Sequence, residues 1–381
     1  MEDINKPDFL IFFSDMPDPR VERTRRHELI DILFVAICAT LSGAEDCVAM
    51  ADYARGRRDW LKQRIALKGG PPSHDTFSRV LARLDPTAFA RCFTAWIAAI
   101  QEKTDGQVIA LDGKTVRRSF DKANGNAAIH MVSAWGCANG LVLGQIKTDD
   151  KSNEITAVPR LLEMLDINGC IVTLDAMGSQ KAIARQIRKQ GGDYVLAVKA
   201  NQPDLRGDVQ NFFDKASANR FLDADAEPIP YSYHKTIDGD HGRIETRECW
   251  ASDHLSGVIA PEAWTDLRSL VRVCATRKIQ DQETQETRYF ICSLPPNAAE
   301  LLHAVRSHWR IENSLHWVLD VTFHEDQNRT RKDNGPQNLA TLRHIALNLC
   351  KKNTSRKASM RRKLNMAAWE PDFLEEILTN N

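Results

Sequence analysis

Three textures of apolar and polar positions follow one another along the chain. From about residue 25 to 100 apolar residues recur at helical spacing. HELIDILFVAICATLSG ends at a Gly suited to closing a helix, and DPTAFARCFTAWIAAIQEK opens with an Asp cap and a Pro in its first turn. Between them, PPSHDTFSRVLARLD predicts a short helix capped by Ser73 or Asp75, compatible either with a DNA-recognition helix or with a packing helix. From Val108 the period changes. QVIALDG, AAIHMVSAWGC and GLVLGQIKT read as strands, the last two separated by a hairpin turn at Ala138, Asn139 and Gly140. EITAVPRLLEMLDI then predicts a helix, CIVTLDAM a strand, QKAIARQIRKQGG a helix and DYVLAVKAN a strand. The order β, β, β, α, β, α, β implies a mixed α/β sheet flanked by helices. Arg220 to Leu294 carries short β patterns (SLVRVCATRKI, TRYFICSL) among Gly- and Asp-rich turns, and reads as a mostly β insertion. NAAELLHAVRSHWRIENSLHWVLDVTF and GPQNLATLRHIALNLCKK return to helix.

One detail of this pattern raises a chemical question. Cys170 to Leu174 are all apolar or β-branched, as in a strand buried on both faces, yet the strand ends in Asp175. VIALDGKT repeats the device with Asp112. Strand C-terminal ends are where open α/β sheets place ligands, although each Asp also suits the plainer role of capping the next turn. Two carboxylates on one sheet edge repel unless protonated or bridged by cations. Glu312 in HWRIENSLHW is the candidate third acid, flanked by aromatics expected to pin its helix against the protein. The alternative for Glu312 is a surface glutamate paired with an arginine. An all-oxygen set of Asp112, Asp175 and Glu312 suits Mg²⁺ or Mn²⁺ better than Zn²⁺.

Composition narrows the class. With 381 residues, two or three modules are expected, and 43% hydrophobic content is ample for a core. No stretch is long and apolar enough for a membrane span, and MEDINKPDFLIFFSDMPDP has acids where an export signal has basic residues. Nine cysteines without a C-x-x-C pair point to buried thiols in a reducing cytoplasm. Fifty-one basic and 51 acidic residues cancel, so partner information lies in their distribution. Arg55 to Lys68 has six basic residues and one acid, and Lys351 to Lys363 seven and none. With the basic turn Lys114 to Arg118, these runs suggest phosphate contact, against the alternative of solvated helix faces.

The blocks ALDGKTVRRSF, HMVSAWG, VLGQIKTDDKSNEITAVPRLLEML, VTLDAMGSQKAIA, DYVLAVKANQ, HGRIETR and RSHWRIENSLHWVLDVTFHEDQNRTR resemble the H-repeat-associated group of bacterial insertion-sequence transposases. These are members of the DDE superfamily with an RNase H-like core. PPSHDTFSRVLARLD is similar to that group's associated N-terminal domain, and the resemblance runs in order from about Arg23 to about Leu349. It implies an RNase H-like fold divided into a helical N-terminal DNA-binding or associated domain (1–104), a first part of the catalytic core (105–219), a mostly β insertion (220–295), C-terminal core helices bearing the glutamate (296–350) and a basic tail (351–381). It further implies that Asp112, Asp175 and Glu312 are the catalytic triad. They would hold two Mg²⁺ or Mn²⁺ ions, with Asp112 bridging and Asp175 and Glu312 on one ion each. Double-stranded DNA, both element ends and target, would be the substrate of a homodimer acting in the bacterial cytoplasm at the nucleoid.

One departure stands out. Broader relatives carry a Tyr, an Arg and a Lys at set distances around the glutamate, where this chain has Val305, His308 and Leu319. The phosphate contacts of that Arg and Lys therefore do not carry over, and Arg310, His316, Lys199 and Asn201 are candidates to replace them, each open to a structural role as well. Lys114, Arg117 and Arg118 are the other expected DNA contacts. His308, Glu312 and His316, spaced by four, offer a transition-metal alternative, but no further His or Cys cluster completes it and Trp309 and Trp317 favour helix packing. A nuclease that cuts without joining, and a silent DNA-binding relic, share these sequence features. A Rossmann-type oxidoreductase lacks its G-x-G-x-x-G.

Overall fold

The computed structural model describes residues 8–379, apart from 103–104, 122–124, 126, 150–153, 223–226, 241 and 259. Parts of two of the quoted blocks, at 150–153 and 241, thus lie outside the described residues. Five helices come first: α1 (Leu29–Leu41), α2 (Cys47–Gly56), α3 (Arg58–Lys62), α4 (His74–Arg83) and α5 (Pro86–Ile100). Their ends follow the sequence signals. Ser73 Oγ accepts from the Thr76 N–H at the start of α4, Asp85 Oδ1 accepts from the Thr87 N–H at the start of α5, and Gly43, just beyond α1, has φ +86°.

The sheet begins with β1 (Val108–Thr115), β2 (His130–Gly136) and β3 (Leu141–Lys147). It continues through α6 (Glu154–Glu163), β4 (Ile171–Leu174), α7 (Lys181–Lys189) and β5 (Asp193–Val198). After α8 (Pro203–Ala218), a helix not expected from the sequence, come β6 (Ser232–Asp240), β7 (Arg243–Ser252), β8 (Ser269–Ile279) and β9 (Gln282–Cys292). Among the described residues, all nine strands form one sheet in the order β3-β2-β1-β4-β5-β9-β8-β7-β6. β1, β4 and β5 are parallel and the other pairings antiparallel, so the expected mixed sheet is present. The β segment after residue 220 does not stand apart from this sheet. β9 pairs with β5 from Val195↔Cys292 to Val198↔Tyr289 and prolongs it. IDGDHGRIETRECW, one of the Gly- and Asp-rich stretches expected to be turns, folds instead as most of the β6–β7 hairpin.

α9 (Ala298–His308) lies across β1, β4 and β5 and reaches β6, β7 and β8. It runs on through a π turn (Glu312–His316) into α10 (Trp317–Val321). α11 (Gly335–Lys352), with 15 of its 18 residues buried, contacts α1, α4 and α5 as well as β3. Its polar side chains hold both neighbours. The Asn348 amide accepts from the Val142 N–H (2.9 Å) and donates to the Val142 carbonyl (2.8 Å), closing the backbone of edge strand β3, while Asn338 Nδ2 donates to the carbonyls of Leu81 (2.7 Å) and Leu84 (3.0 Å) at the end of α4.

The region expected as a basic tail is folded. α12 (Met360–Trp369) and α13 (Pro371–Thr379) bury Leu364, Ala367, Phe373, Leu374, Ile377 and Leu378. Its charges are partly spent inside the protein. Lys363 is buried and its ammonium donates to the carbonyls of Cys350 (2.8 Å) and Asn353. The Arg55–Lys68 run meets this hairpin. Arg64 Nε donates to Glu375 (2.7 Å) with its guanidinium 4.0 Å over Trp60, and Arg57 donates to the Ala368 carbonyl. The isolated basic runs of the sequence are therefore, in part, the two sides of an intramolecular interface.

Candidate active site

Strand register brings the two aspartates together. β1 and β4 are parallel with Leu111 opposite Leu174, so Asp112, still within β1 rather than at its end as expected, and Asp175, just past β4, stand side by side. Alternation then selects a face. Thr173, two residues before Asp175, bonds the ring Nδ1 of His308 in α9 (3.0 Å), and Val195, Ala197 and Lys199 take the same face on the next strand. The result is a cavity of about 320 Å³ walled by this face of β1, β4, β5 and β9 and roofed by the helix carrying His308 and Glu312. Asp112, Asp175 and Glu312 all line it.

The three acids differ in setting. Asp112 is largely buried, and loss of solvent pushes its carboxyl up to about 6 against the lowering influence of His316 and the Gly113 N–H, with Glu154 and Asp175 adding to the rise. Asp175 Oδ1 accepts from the backbone N–H groups of Met177 (2.9 Å) and Gly178 (3.4 Å), so it does cap the turn that follows. That bond occupies one carboxylate oxygen and fixes the side chain. Glu312 is exposed and opens the π turn, an insertion of one residue into the helical ladder that recurs at functional sites. Its Oε2 lies 3.0 Å from Nδ1 of buried His316, which is also 3.6 Å from Asp112 Oδ2. Ligand atoms of Asp112, Glu312 and His316 all lie within 4.8 Å of one another, a group that does not include Asp175. Gly113 lies beside them, and a Cβ there would run into Glu154 Oε1 and His130 Nε2, an interacting pair (2.9 Å) behind the site that would have to shift.

The expected phosphate contacts fare unevenly. Lys199 is exposed and lines the cavity. Arg117 and Arg118 are exposed, Arg117 pairing with Asp326 at 3.1 Å. Lys114 is instead enclosed by Asp320 (2.7 Å), Glu325 (3.1 Å) and Asp326 (3.1 Å), leaving its three donors engaged within the protein. Asn201 Nδ2 donates to the Ala176 carbonyl (2.7 Å) and ties down the loop that bears Asp175. Arg310 faces a different groove, lined also by His234, His303 and Arg306. His308 also lines the cavity, but its Nδ1 is held by Thr173 and it lies outside the close group of Asp112, Glu312 and His316; burial lowers it to about 4.

Arg288, a residue of the site, was not singled out from sequence. Arg288 of β9 lines the cavity, bonds Glu286 (2.7 Å) and stacks 4.3 Å over the Trp309 ring. It lies some 110 positions from Asp175, and only the β5–β9 pairing brings it in. Trp309 and Trp317, expected to pin the helix, are 47% and 56% exposed, because the buried side of this helix is supplied by Leu301, Val305, Ile311 and Leu315. The i, i+4 spacing of Glu312 and His316 was the available sign that the histidine shares the glutamate's face.

The donor set fits a divalent cation: carboxylate oxygens dominate, with one imidazole. Comparison with known proteins agrees in kind. Residues 10–97 match the family described as DDE_Tnp_1-associated, and residues 103–349 match the Transposase DDE domain. A protein named "Putative transposase YncI" of Escherichia coli O157:H7 is 39% identical over 380 residues, 97% of this chain and 94% of that one. "H repeat-associated putative transposase YhhI" of Escherichia coli K12 is 39% identical over 375 residues, 97% of either chain. "H repeat-associated putative transposase YbfD" of the same strain is 44% identical over 234 residues, 61% of this chain and 89% of that one.

Proposed function

This chain belongs to the DDE transposase family, and from that premise we propose that it hydrolyses a strand at each end of a bacterial insertion element and joins the freed 3′ hydroxyl to target DNA. Its substrate class is DNA, and the family uses divalent metal. The observation that carries the residue assignment is the convergence of Asp112, Asp175 and Glu312 on one cavity from three distant parts of the chain.

In this reading the two aspartates and Glu312 would hold the divalent ions, Mg²⁺ or Mn²⁺. Bound cations supply the Lewis acidity that activates an attacking oxygen and offsets charge on the departing one. The chain's own part is placement. Asp175, fixed by the Met177 and Gly178 amides, and Asp112, fixed by strand pairing, present carboxylates that need no rearrangement when the phosphodiester arrives. Lys199 and Arg288 offer cationic donors to the phosphate, and the exposed Trp309 ring offers a surface on which an unpaired base can stack. Arg117 and Arg118 extend positive charge outward from the site. The same cavity serves cleavage and joining in turn, an in-line exchange without a covalent protein intermediate or ATP.

Handling two ends together calls for a homodimer on DNA, working in the cytoplasm at the nucleoid. Among the described residues no helix is long and apolar enough to cross a membrane. The test is incubation of the purified protein with its own flanking DNA and Mg²⁺, followed by mapping of the 3′ ends and of joined products. Joined strands with free 3′ hydroxyls at the element ends support the reading. Nicks that never proceed to joining restrict it to a nuclease, and an Asp175→Asn variant that still cuts in full overturns the assignment.

A further inference from the structure

The deepest polar feature of the site is unused by the reading above. His316 is only 4% exposed, one face of its ring meets two carboxylates, and the opposite nitrogen, Nε2, makes no hydrogen bond to the protein. We propose that Nδ1 of His316 is a direct ligand of the cation held by Asp112 and Glu312, making that position a mixed oxygen–nitrogen site that favours Mn²⁺ over Mg²⁺. This rests on the metal-dependent reading given above and adds a ligand to it.

The geometry accommodates ligation as well as it does a simple hydrogen bond. In an octahedral site with bonds of about 2.1 Å, neighbouring ligand atoms stand about 3 Å apart. Nδ1 lies 3.0 Å from Glu312 Oε2 and 3.6 Å from Asp112 Oδ2, and suitable atoms of all three residues fall within 4.8 Å of one another. The three side chains reach this spot from the middle of β1 and from two points four residues apart on one helix. Such i, i+4 spacing presents two ligands on one helical face.

The far side of the ring has room for the matching proton. For Nδ1 to offer its lone pair, the ring proton must sit on Nε2, and a metal-bound imidazole normally passes that proton to an acceptor behind it. Behind His316 is a second cavity of about 10 Å³, lined also by Gln145, Glu325 and His344. That volume suits about one water. Gln145 Oε1 and both ring nitrogens of His344 are buried and likewise make no hydrogen bond to the protein. One water there would accept from Nε2–H and donate to both Gln145 Oε1 and a ring nitrogen of His344, satisfying polar atoms of three residues at once. A histidine serving only to hold Glu312 would carry its proton on Nδ1 and accept from the same water at Nε2, so the two roles are separated by whether Nδ1 bonds the ion.

The choice of metal follows from the donors. Nitrogen ligation favours the transition ion, whereas Mg²⁺ prefers oxygen throughout. Loss of one ligand is expected to weaken Mn²⁺ binding about 10–100-fold, at least the range seen on disturbing a ligand's support.

The experiment uses the full-length protein, Mn²⁺ alone and pulsed electron paramagnetic resonance, which detects ¹⁴N bonded to the ion without turnover. Wild type and His308→Gln should show imidazole ¹⁴N modulation. His316→Gln should bind Mn²⁺ about 10–100-fold more weakly and lose the modulation. Mn²⁺ bound in wild type with no ¹⁴N modulation overturns the inference while leaving the acidic site intact. If wild type and Asp112→Asn are alike in binding no Mn²⁺, the underlying reading fails as well. Should His316→Gln not fold, ¹⁵N-histidine labelling of His308→Gln decides the matter: a bound-nitrogen signal that changes isotope assigns the ligand, and its absence rejects it.

Discussion

Leu111 and Leu174 face each other across adjacent parallel strands, and this single register is what sets Asp112 beside Asp175. A residue's slip in either strand would turn one carboxylate to the far face of the sheet. Replacing either aspartate by Asn keeps shape and register while removing charge. Strand cleavage should then fall by about three orders of magnitude, the scale of several kcal/mol of lost transition-state stabilisation, with DNA binding within a factor of a few of wild type. A gel-shift assay beside a cleavage assay separates the two.

Without metal, the same carboxylate is a burden. Asp112 is raised to about 6, so at pH 7 the folded protein keeps a partly desolvated anion that the unfolded chain would hold more easily. Asp112→Asn should stabilise the metal-free protein at pH 7 by roughly 2 kcal/mol. It should also abolish the upward shift in Tm that Mg²⁺ gives wild type. Thermal unfolding with and without the ion shows both effects.

Two buried histidines set the acid limit. Burial lowers His308 and His344 from 6.5 to about 4, so between those values the unfolded chain binds protons that the folded protein refuses. Their contribution is complete above pH 6.5 and is lost as pH falls toward 4, at up to roughly 3 kcal/mol each. Asp112 works the other way over part of the same window, gaining a proton early in the folded state, but one carboxyl does not outweigh two imidazoles. Urea unfolding should show stability falling from pH 6.5 to 4, and a His308→Gln, His344→Gln double variant should flatten the slope.

Lys114 is predicted to matter for folding more than for DNA. Its ammonium and Arg343 share the buried carboxylate of Glu325, which those two cations hold below the usual range. Lys114→Met leaves Asp320, Glu325 and Asp326 crowded and should destabilise the protein by roughly 3 kcal/mol. The dependence of DNA affinity on salt should stay as in wild type; a shallower slope would return Lys114 to the phosphate contacts.

The C-terminal hairpin makes a parallel case. Phe373→Ala opens a cavity under α13 and should cost about 3–5 kcal/mol. Exposed Arg361 and Arg362 remain free to attract phosphate, so neutralising that pair should lower the salt slope without changing Tm.

Much of the plan could be read from the pattern alone. The mixed sheet followed from apolar runs interrupted by helical periods, and the strand-end position of Asp175 from the abrupt change after a fully apolar strand; Asp112, expected at a strand end as well, lies inside β1, which its pairing with β2 carries on to Thr115. What stayed hidden depended on contacts between distant segments. Arg288 reaches the cavity only because β9 pairs with β5, and Lys114 and Lys363 look like free cations until their carboxylate and carbonyl partners fold around them. The β6–β7 hairpin was masked by its Gly and Asp content, its strands being largely solvent-facing and so lacking an apolar rhythm. The π turn leaves no mark in residue type. The aromatic residues beside Glu312 misled for a related reason: a tryptophan's apolar bulk suggests burial, whereas here the rings stand outside.

The late position of α11 in the chain has a consequence for synthesis. The helices it joins, α1, α4 and α5, leave the ribosome first, yet their shared partner starts at Gly335, so they wait roughly 15–60 s at ordinary translation speeds. A frameshifted copy ending before that point would strand them with greasy flanks uncovered, fit for degradation and unable to persist as a stand-alone repressor.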